Sequence, residues 1–239
     1  MIKNPILILS LVVLLACQKD SFKMTTNISP SSDTKPKNEI SYLAIGDSYT
    51  IGEAVPLQGG FPYQLTTILK DNGLDIGTPH IIAKTGWTTS ELQDAIKKAN
   101  LSEKFTVVTL LIGVNNQYRG ESKEKYRQEF KELLQTAISF ANGNKARVFV
   151  VSIPDWGLTP YGQESGRDIP GVSSDIDAFN AINRTETLSQ GISYTDITPG
   201  SRLVASDKQL VASDGLHPSA KMYHQWAVQL APALIKELK

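Results

Sequence analysis

The segment Ile45-Gly46-Asp47-Ser48-Tyr49-Thr50 decides the fold of this chain. It ends an apolar run, residues 40–46, that has the length and composition of a buried β-strand. Open α/β sheets bind ligands in the crevice outside the carboxyl ends of their strands. Because Ser48 directly follows such a strand, the sequence predicts that its hydroxyl lies at a binding crevice.

Apolar runs alternate with amphipathic stretches from residue 40 onward. The runs predict strands at 40–46, 80–84, 106–112, 147–153 and 192–196. The amphipathic stretches predict helices near 62–72, 88–99, 122–141, 174–189 and 219–237, with Pro218 at the start of the last one. Pro232, inside that last stretch, should kink or interrupt it. Strands that alternate with helices indicate a parallel sheet covered on both faces.

A serine hydroxyl is a weak nucleophile unless a neighbouring base activates it, and the base needs a third group to orient it. Asp214-Gly215-Leu216-His217-Pro218, near the other end of the chain, contains both kinds of group. In a tight turn the Asp214 carboxylate can reach the imidazole Nδ1 of His217, while Nε2 faces Ser48. The other histidines, His80 and His224, have no carboxylate three residues before them, so His217 is the predicted base.

Structural interpretations of the same residues stay open at this point. Gly-Asp-Ser before a helix is also a common capped helix start. Asp214 has the chemistry of a turn or capping residue as well. Asp47 is expected to hold the turn together rather than to react.

Four short motifs resemble the sequence blocks of the SGNH, or GDSL-like, hydrolase family. They are Gly46-Asp47-Ser48, Gly86 within residues 85–89, Gly113-Val114-Asn115-Asn116, and Asp214 to His217. The resemblance extends over about 200 residues and implies an α/β fold. Its form is a three-layer α/β/α architecture around a five-stranded parallel sheet of flavodoxin-like order. Tyr49 and Asn116 depart from the leucine and aspartate that are common at their positions in the family.

The resemblance further implies a carboxylic ester hydrolase that uses no cofactor and no metal. Ser48 would be the nucleophile, His217 the base and Asp214 its partner. The backbone N–H groups of Ser48 and Gly86, with the Asn115 amide, would form the oxyanion hole. Lipid or simple acyl esters, of the lysophospholipase or short-chain esterase type, are the first expectation, and carbohydrate O-acetyl esters the alternative.

Loops after the strands should set specificity. Trp87, Asn116, Tyr118 and Trp156 are the predicted substrate contacts, although either tryptophan could instead be a buried support. Residues 157–172, rich in Gly and Pro, are a candidate lid because long loops in compact domains tend to be functional.

Two other classes of function remain as alternatives. A metal-dependent phosphoesterase would use Asp47, Asn115, Asp214 and His217 as ligands. A non-catalytic lipoprotein would bind lipid or carbohydrate on the same fold.

The first residues have the pattern of a bacterial lipoprotein. Residues 1–16 contain Lys3 and an apolar run typical of a signal peptide, too short for a permanent membrane span. Leu14-Leu15-Ala16-Cys17 resembles a lipobox, which predicts lipidation of Cys17, the single cysteine. Residues 17–39 are polar and predict a flexible tether to the hydrolase domain, 40–239. The expected location is the bacterial cell envelope, anchored to a membrane on the periplasmic or outer-membrane side.

The composition is typical of a single globular domain. The 239 residues carry no formal net charge and are 41% hydrophobic, which suits one globular domain with a substantial core. Equal numbers of acidic and basic residues give no electrostatic footprint for nucleic acid. With one cysteine, a disulfide framework within the chain is excluded.

Overall fold

The computed structural model describes residues 39–239. The predicted signal peptide, the predicted lipidation at Cys17 and the predicted tether as far as residue 38 lie outside the described residues. Between residues 39 and 239, no helix is long and apolar enough to cross a membrane.

Five parallel strands form one sheet in the order β2-β1-β3-β4-β5. They are β1 Tyr42–Asp47, β2 His80–Lys84, β3 Val107–Leu111, β4 Val148–Val151 and β5 Ser193–Thr195. This is the flavodoxin-like order. The strand order reverses between β1 and β3, so the crevice of this fold opens where those two strands end.

Nine α-helices occur in the described residues. They are α1 Ser48–Ile51, α2 Phe61–Asp71, α3 Thr89–Ala99, α4 Val114–Tyr118, α5 Lys123–Phe140, α6 Pro160–Glu164, α7 Ile169–Ser189, α8 Thr198–Ser201 and α9 Ala220–Leu238. Short 3₁₀ helices cover Leu57–Gly59, Lys145–Arg147, Trp156–Leu158, Arg202–Ala205 and Lys208–Leu210.

The sheet is the middle of three layers. Every residue of β1, β3 and β4 is buried, which requires cover on both faces because successive side chains point to opposite sides. Helices α2 and α9 pack against each other, and α5 packs between α3 and α7. The predicted α/β/α fold is therefore confirmed, with Trp226 and Tyr126 among the largest side chains in the core.

Helix α9 differs from its prediction at both proline positions. It begins at Ala220, capped by the Ser219 side chain, so Pro218 lies before the helix in a bridge with Val211. It also continues through Pro232 without interruption. Pro232 removes the N–H that would bond to the carbonyl of Val228, but both residues are exposed on the water side of the helix. Water can satisfy the freed carbonyl there.

The segment predicted as a long loop is largely ordered into helices. Residues 157–172 contain the end of the 3₁₀ helix Trp156–Leu158, all of α6 and the first turn of α7. Helix α7 thus starts at Ile169, five residues before its predicted start, with Pro170 in its first turn. Proline is well tolerated there because the first N–H groups of a helix have no partner within it.

Candidate active site

Ser48 lies at the carboxyl end of β1, as predicted. A side chain on Gly46 would place its Cβ 2.3 Å from the carbonyl oxygen of Leu111, so only glycine lets β1 lie this close to β3. The turn into α1 is capped by Asp47, whose Oδ1 accepts the Tyr49 N–H at 3.0 Å. The capped helix start is therefore real, but Asp47 provides the cap and the Ser48 hydroxyl is left for another partner.

That partner is His217. Its Nε2 lies 2.9 Å from Ser48 Oγ, and its Nδ1 lies 2.6 Å from Asp214 Oδ2. The second carboxylate oxygen, Asp214 Oδ1, accepts the backbone N–H groups of Leu216 and His217, each at 3.0 Å. Asp214 is thus a turn residue and the partner of the imidazole at once. The three side chains form a continuous chain that can move a proton from the serine hydroxyl to the histidine.

The Asp214 carboxylate is held in its charged form. Burial raises its pKa, but the hydrogen bonds from the His217 ring and from the Leu216 and His217 backbone outweigh burial, so the pKa lies below its usual range. A carboxylate that stays ionised can stabilise an imidazolium beside it.

Tyr49 fixes the other side of the imidazole. Its ring centroid lies 5.1 Å from that of His217 and 6.3 Å from that of Trp226 in α9. Tyr49 is itself buried. Tyr49, which departs from the common leucine, therefore supports His217 by packing.

Asp47, the residue before Tyr49, is also buried. Burial raises the pKa of the Asp47 carboxyl group to about 7, although the hydrogen bond from the Tyr49 N–H lowers it.

Asn115 follows β3 and faces the same cavity as Ser48. Its Nδ2 donates to the carbonyl oxygen of Trp87 at 2.9 Å. A side-chain amide has two N–H groups, so this bond orients the amide and leaves the second N–H for a ligand. Gly113 lies between β3 and α4 and has φ +129°. A Cβ atom on this residue would clash with the Tyr126 hydroxyl, so the position requires glycine.

Gly86 lies next to Trp87 in the loop after β2. Its φ of +83° is a left-handed conformation that glycine adopts without strain. Arg119 Nη2 donates to the Gly86 carbonyl at 2.6 Å and lies 3.2 Å from Glu91 Oε2. Asn115 in α4 and Arg119 directly after α4 therefore both hold this loop. The contact between Arg119 and Gly86 was not predicted from the sequence.

The cavity beside Ser48 has a volume of about 170 Å³. Its lining residues come from four loops and are Ser48, Tyr49, Val114, Asn115, Tyr118, Trp156, Tyr161, Leu216 and His217. Tyr118 and Trp156 thus lie where substrate contacts were predicted. Trp156 lines the cavity and is also buried. It is 2% exposed, and its Nε1 donates to Gln117 Oε1 at 2.8 Å.

Two predicted substrate contacts do not line this cavity. Asn116 is fully buried: its Nδ2 donates to Thr89 Oγ1 at 2.7 Å and to Glu121 Oε2 at 2.9 Å, and its Oδ1 accepts the Thr89 N–H. The prediction for Asn116 is therefore wrong, because successive residues of a helix face different directions and only Asn115 turns toward the cavity. Trp87 is half-buried against the core and contributes its carbonyl to Asn115.

The sequence prediction missed Tyr49, Val114, Tyr161 and Leu216 as cavity residues. Leu216 stands inside the Asp214 to His217 motif and Val114 beside Asn115, so their positions carried a signal. Tyr161 lies in the candidate lid, 157–172, but nothing in the sequence singled it out there, because its approach to the site depends on how residues 157–168 fold. The remaining histidines lie apart from the cavity, His80 near Phe105 and His224 bonded to Gln64 at 3.0 Å.

Within residues 39–239, no group of three or more His, Cys, Asp and Glu side chains is arranged to hold a metal ion. Asp47, one ligand of the metal-dependent alternative, has a fully buried side chain.

The sequence matches the family model of GDSL-like lipases and acylhydrolases over residues 44–225. The match covers most of the chain, and the chain belongs to the GDSL-like lipase/acylhydrolase family. It is a carboxylic ester hydrolase with the SGNH hydrolase fold. No curated protein matches the chain.

Several solved structures share this fold. TesA is 18% identical, with a TM-score of 0.62 over 83% of this chain and 99% of that one. A lipase/acylhydrolase from Enterococcus faecalis is 17% identical, with a TM-score of 0.63 over 84% and 98%. Axe2, an acetylxylan esterase from Geobacillus stearothermophilus, is 16% identical, with a TM-score of 0.61 over 84% and 94%. At these identities the likeness establishes the fold alone.

Proposed function

We propose that this hydrolase cleaves acyl esters through a Ser48-His217-Asp214 triad. The proposal rests on two hydrogen-bond contacts of the His217 ring. Nε2 lies 2.9 Å from Ser48 Oγ, and Nδ1 lies 2.6 Å from Asp214 Oδ2. Both distances lie within hydrogen-bond reach, which a general base requires.

The first chemical step forms an acyl-enzyme. Ser48 Oγ attacks the carbonyl carbon of the ester while its proton passes to His217 Nε2. The imidazolium is stabilised by the ionised Asp214. His217 then gives the proton to the departing alcohol oxygen, and the bond between that oxygen and the acyl carbon breaks.

The carbonyl oxygen becomes negative during the attack and needs donors. The second N–H of the Asn115 amide and the backbone N–H groups of Ser48 and Gly86 are the proposed donors, and losing one such donor typically costs about 10²–10³ in kcat. Asn115 is oriented by Trp87, and the Gly86 loop is held by Arg119. This support is consistent with a preorganised oxyanion hole.

The second step returns the free enzyme. Water attacks the acyl carbon, His217 Nε2 takes its proton, and the Ser48 oxygen leaves after receiving that proton from the imidazolium. The products are a carboxylic acid and the regenerated serine.

Simple acyl or lipid esters are the first choice of substrate, because Val114, Tyr118, Trp156 and Leu216 give the cavity an apolar wall. Carbohydrate O-acetyl esters are the second candidate. Tyr161, 40% exposed at the rim of the cavity, supports it because an exposed aromatic face can stack on a sugar ring. A role limited to binding would have no need of the aligned serine, histidine and carboxylate.

Hydrolysis of p-nitrophenyl butyrate by the full-length protein, compared with its Ser48→Ala variant, tests this proposal. We expect turnover by the wild type and a loss on the order of 10³- to 10⁶-fold in the variant, whose fold is checked by circular dichroism. Activity that survives in Ser48→Ala but is abolished by a chelator would favour the metal-dependent alternative.

A further inference from the structure

Three aromatic side chains form one wall of the cavity beside Ser48. The ring centroids of Tyr118 and Trp156 are 5.2 Å apart, edge to face, and those of Trp156 and Tyr161 are 6.3 Å apart. The hydroxyl oxygens of Tyr118 and Tyr161 lie 2.9 Å apart and share a hydrogen bond. We call Tyr118, Trp156 and Tyr161 the aromatic wall.

The aromatic wall is supported from outside the cavity. The guanidinium carbon of Arg167 lies 4.2 Å from the centroid of the Tyr118 ring, and Arg167 Nη1 donates to the Tyr118 carbonyl at 2.9 Å. The same guanidinium carbon lies 5.5 Å from the centroid of the Trp156 ring, so Arg167 contacts both aromatic side chains. Cation–π contacts of this kind add stability to such packing.

The wall is also joined to the turn that carries two of the three triad residues. The backbone N–H of Tyr161 donates to the Gly215 carbonyl at 2.9 Å, and Gly215 lies between Asp214 and His217. The wall thus runs from α4, which carries Asn115, to the turn that carries Asp214 and His217. Tyr161 is 40% exposed, so the wall reaches the solvent at this residue.

The bounded volume is small. An engineered apolar cavity of about 150 Å³ in another protein holds one benzene molecule, six carbon atoms. The cavity here, of about 170 Å³, is close to that size, whereas pockets for larger ligands measure roughly 300–1,000 Å³. Carbon atoms beyond about the sixth would have to displace Tyr161 or lie in water.

We infer that the aromatic wall selects short acyl groups, of up to about six carbon atoms, and that Tyr161 is the residue that sets this limit. The inference rests on the proposed function, since the acyl group must start at Ser48. It excludes long-chain lysophospholipids as preferred substrates and retains short-chain and acetyl esters.

The test is a series of p-nitrophenyl esters from two to twelve carbons, assayed on the full-length protein and on Tyr161→Ala. We expect the wild-type kcat/KM to be highest at six carbons or fewer. Tyr161→Ala should raise the ratio of decanoate to butyrate kcat/KM by about tenfold, because removing the ring opens the wall. Alanine keeps the backbone bond to Gly215 and favours the helix, so the fold should persist.

Two control variants isolate the cause. Tyr161→Phe keeps the ring and loses only the bond to Tyr118, so its optimum should stay at six carbons or fewer. Tyr63→Ala removes a tyrosine from α2 that does not line the cavity, and its profile should match the wild type.

A wild-type optimum at eight carbons or more overturns the inference, as does a Tyr161→Ala profile equal to that of the wild type. In both cases the triad mechanism would stand, because esters are still cleaved in a Ser48-dependent manner. Absence of turnover at every chain length in a folded wild-type protein would instead overturn the proposed function, and the length limit with it.

Discussion

Asp214 bonds to His217 at two places, the ring Nδ1 and the backbone N–H. The carboxylate therefore fixes both the turn and the imidazole it carries. Only two residues separate Asp214 from His217, so the Asp214 carboxylate can bond both to the backbone of this turn and to the His217 ring. In this hydrogen-bonded turn, Nε2 of His217 faces Ser48 Oγ at 2.9 Å.

Replacing Asp214 with asparagine should lower kcat on the order of 10³- to 10⁴-fold. An amide keeps much of the shape but cannot stabilise the imidazolium, and it can favour the wrong ring tautomer. Steady-state kinetics on p-nitrophenyl butyrate measure this loss. A variant within tenfold of the wild-type rate would contradict the role proposed for Asp214.

Asn115→Ala should keep the fold and lose about 10²–10³ in kcat, because one donor to the oxyanion is removed. Asn116→Ala is the matched control. This substitution leaves the buried backbone N–H of Thr89 without its acceptor, so we expect about 1–3 kcal/mol of destabilisation and a smaller effect on rate. Denaturant unfolding and kinetics on both variants separate the two effects. Near-wild-type kcat in Asn115→Ala would remove Asn115 from the oxyanion hole.

Asp47 should make the wild-type protein lose stability as the pH rises. Burial raises its folded-state pKa to about 7, whereas an unfolded aspartate titrates near 3.8. Between these values the folded state binds more protons than the unfolded state, so stability falls with increasing pH. The contribution is complete below about pH 4 and is lost as the pH rises through about 7.

The Asp47→Asn variant lacks this titration and tests the expectation. Asparagine can still accept the Tyr49 N–H. The free energy of unfolding of the variant, relative to the wild type, should increase by a few kcal/mol between pH 4 and pH 8, as measured by denaturant unfolding. A difference that does not change with pH would show that Asp47 titrates normally.

Cys17→Ser should release the protein from membranes. Two or three acyl chains on one cysteine give stable anchoring, and serine cannot carry them through a thioether. Fractionation of cells that express the full-length chain measures the effect, with Ser21→Ala as a control expected to remain in the membrane fraction. Unchanged membrane association of Cys17→Ser would contradict the lipoprotein prediction.

The fold could be predicted because its signals are local. Each buried strand is a short apolar run, and the α3 start carries a capping box at Thr88 and Glu91 that no distant contact has to create. The Asp214 to His217 spacing likewise determines its own geometry. Strand order came only from the family resemblance, since local periodicity does not specify which strands are neighbours.

Tyr118 and Trp156 were predicted as substrate contacts, but their arrangement with Tyr161 could not be predicted, because it depends on contacts between distant segments. Tyr118 and Tyr161 are 43 residues apart in the chain, and their hydroxyls meet only after α6 packs against the Gly215 turn. The prediction that Asn116 contacts substrate was wrong for a different reason. Its polar side chain serves the packing of α4 on Thr89, and a motif does not tell which of two adjacent asparagines faces the cavity.

The central claim is that Ser48 is the nucleophile that His217 activates. Mapping the adduct of a reactive organophosphonate by mass spectrometry tests it most directly, since the reagent bonds covalently to an activated serine. We expect one adduct per chain, on Ser48, with labelling strongly slowed in His217→Ala. An adduct on another residue, or ester hydrolysis that continues in protein fully labelled at Ser48, would contradict it.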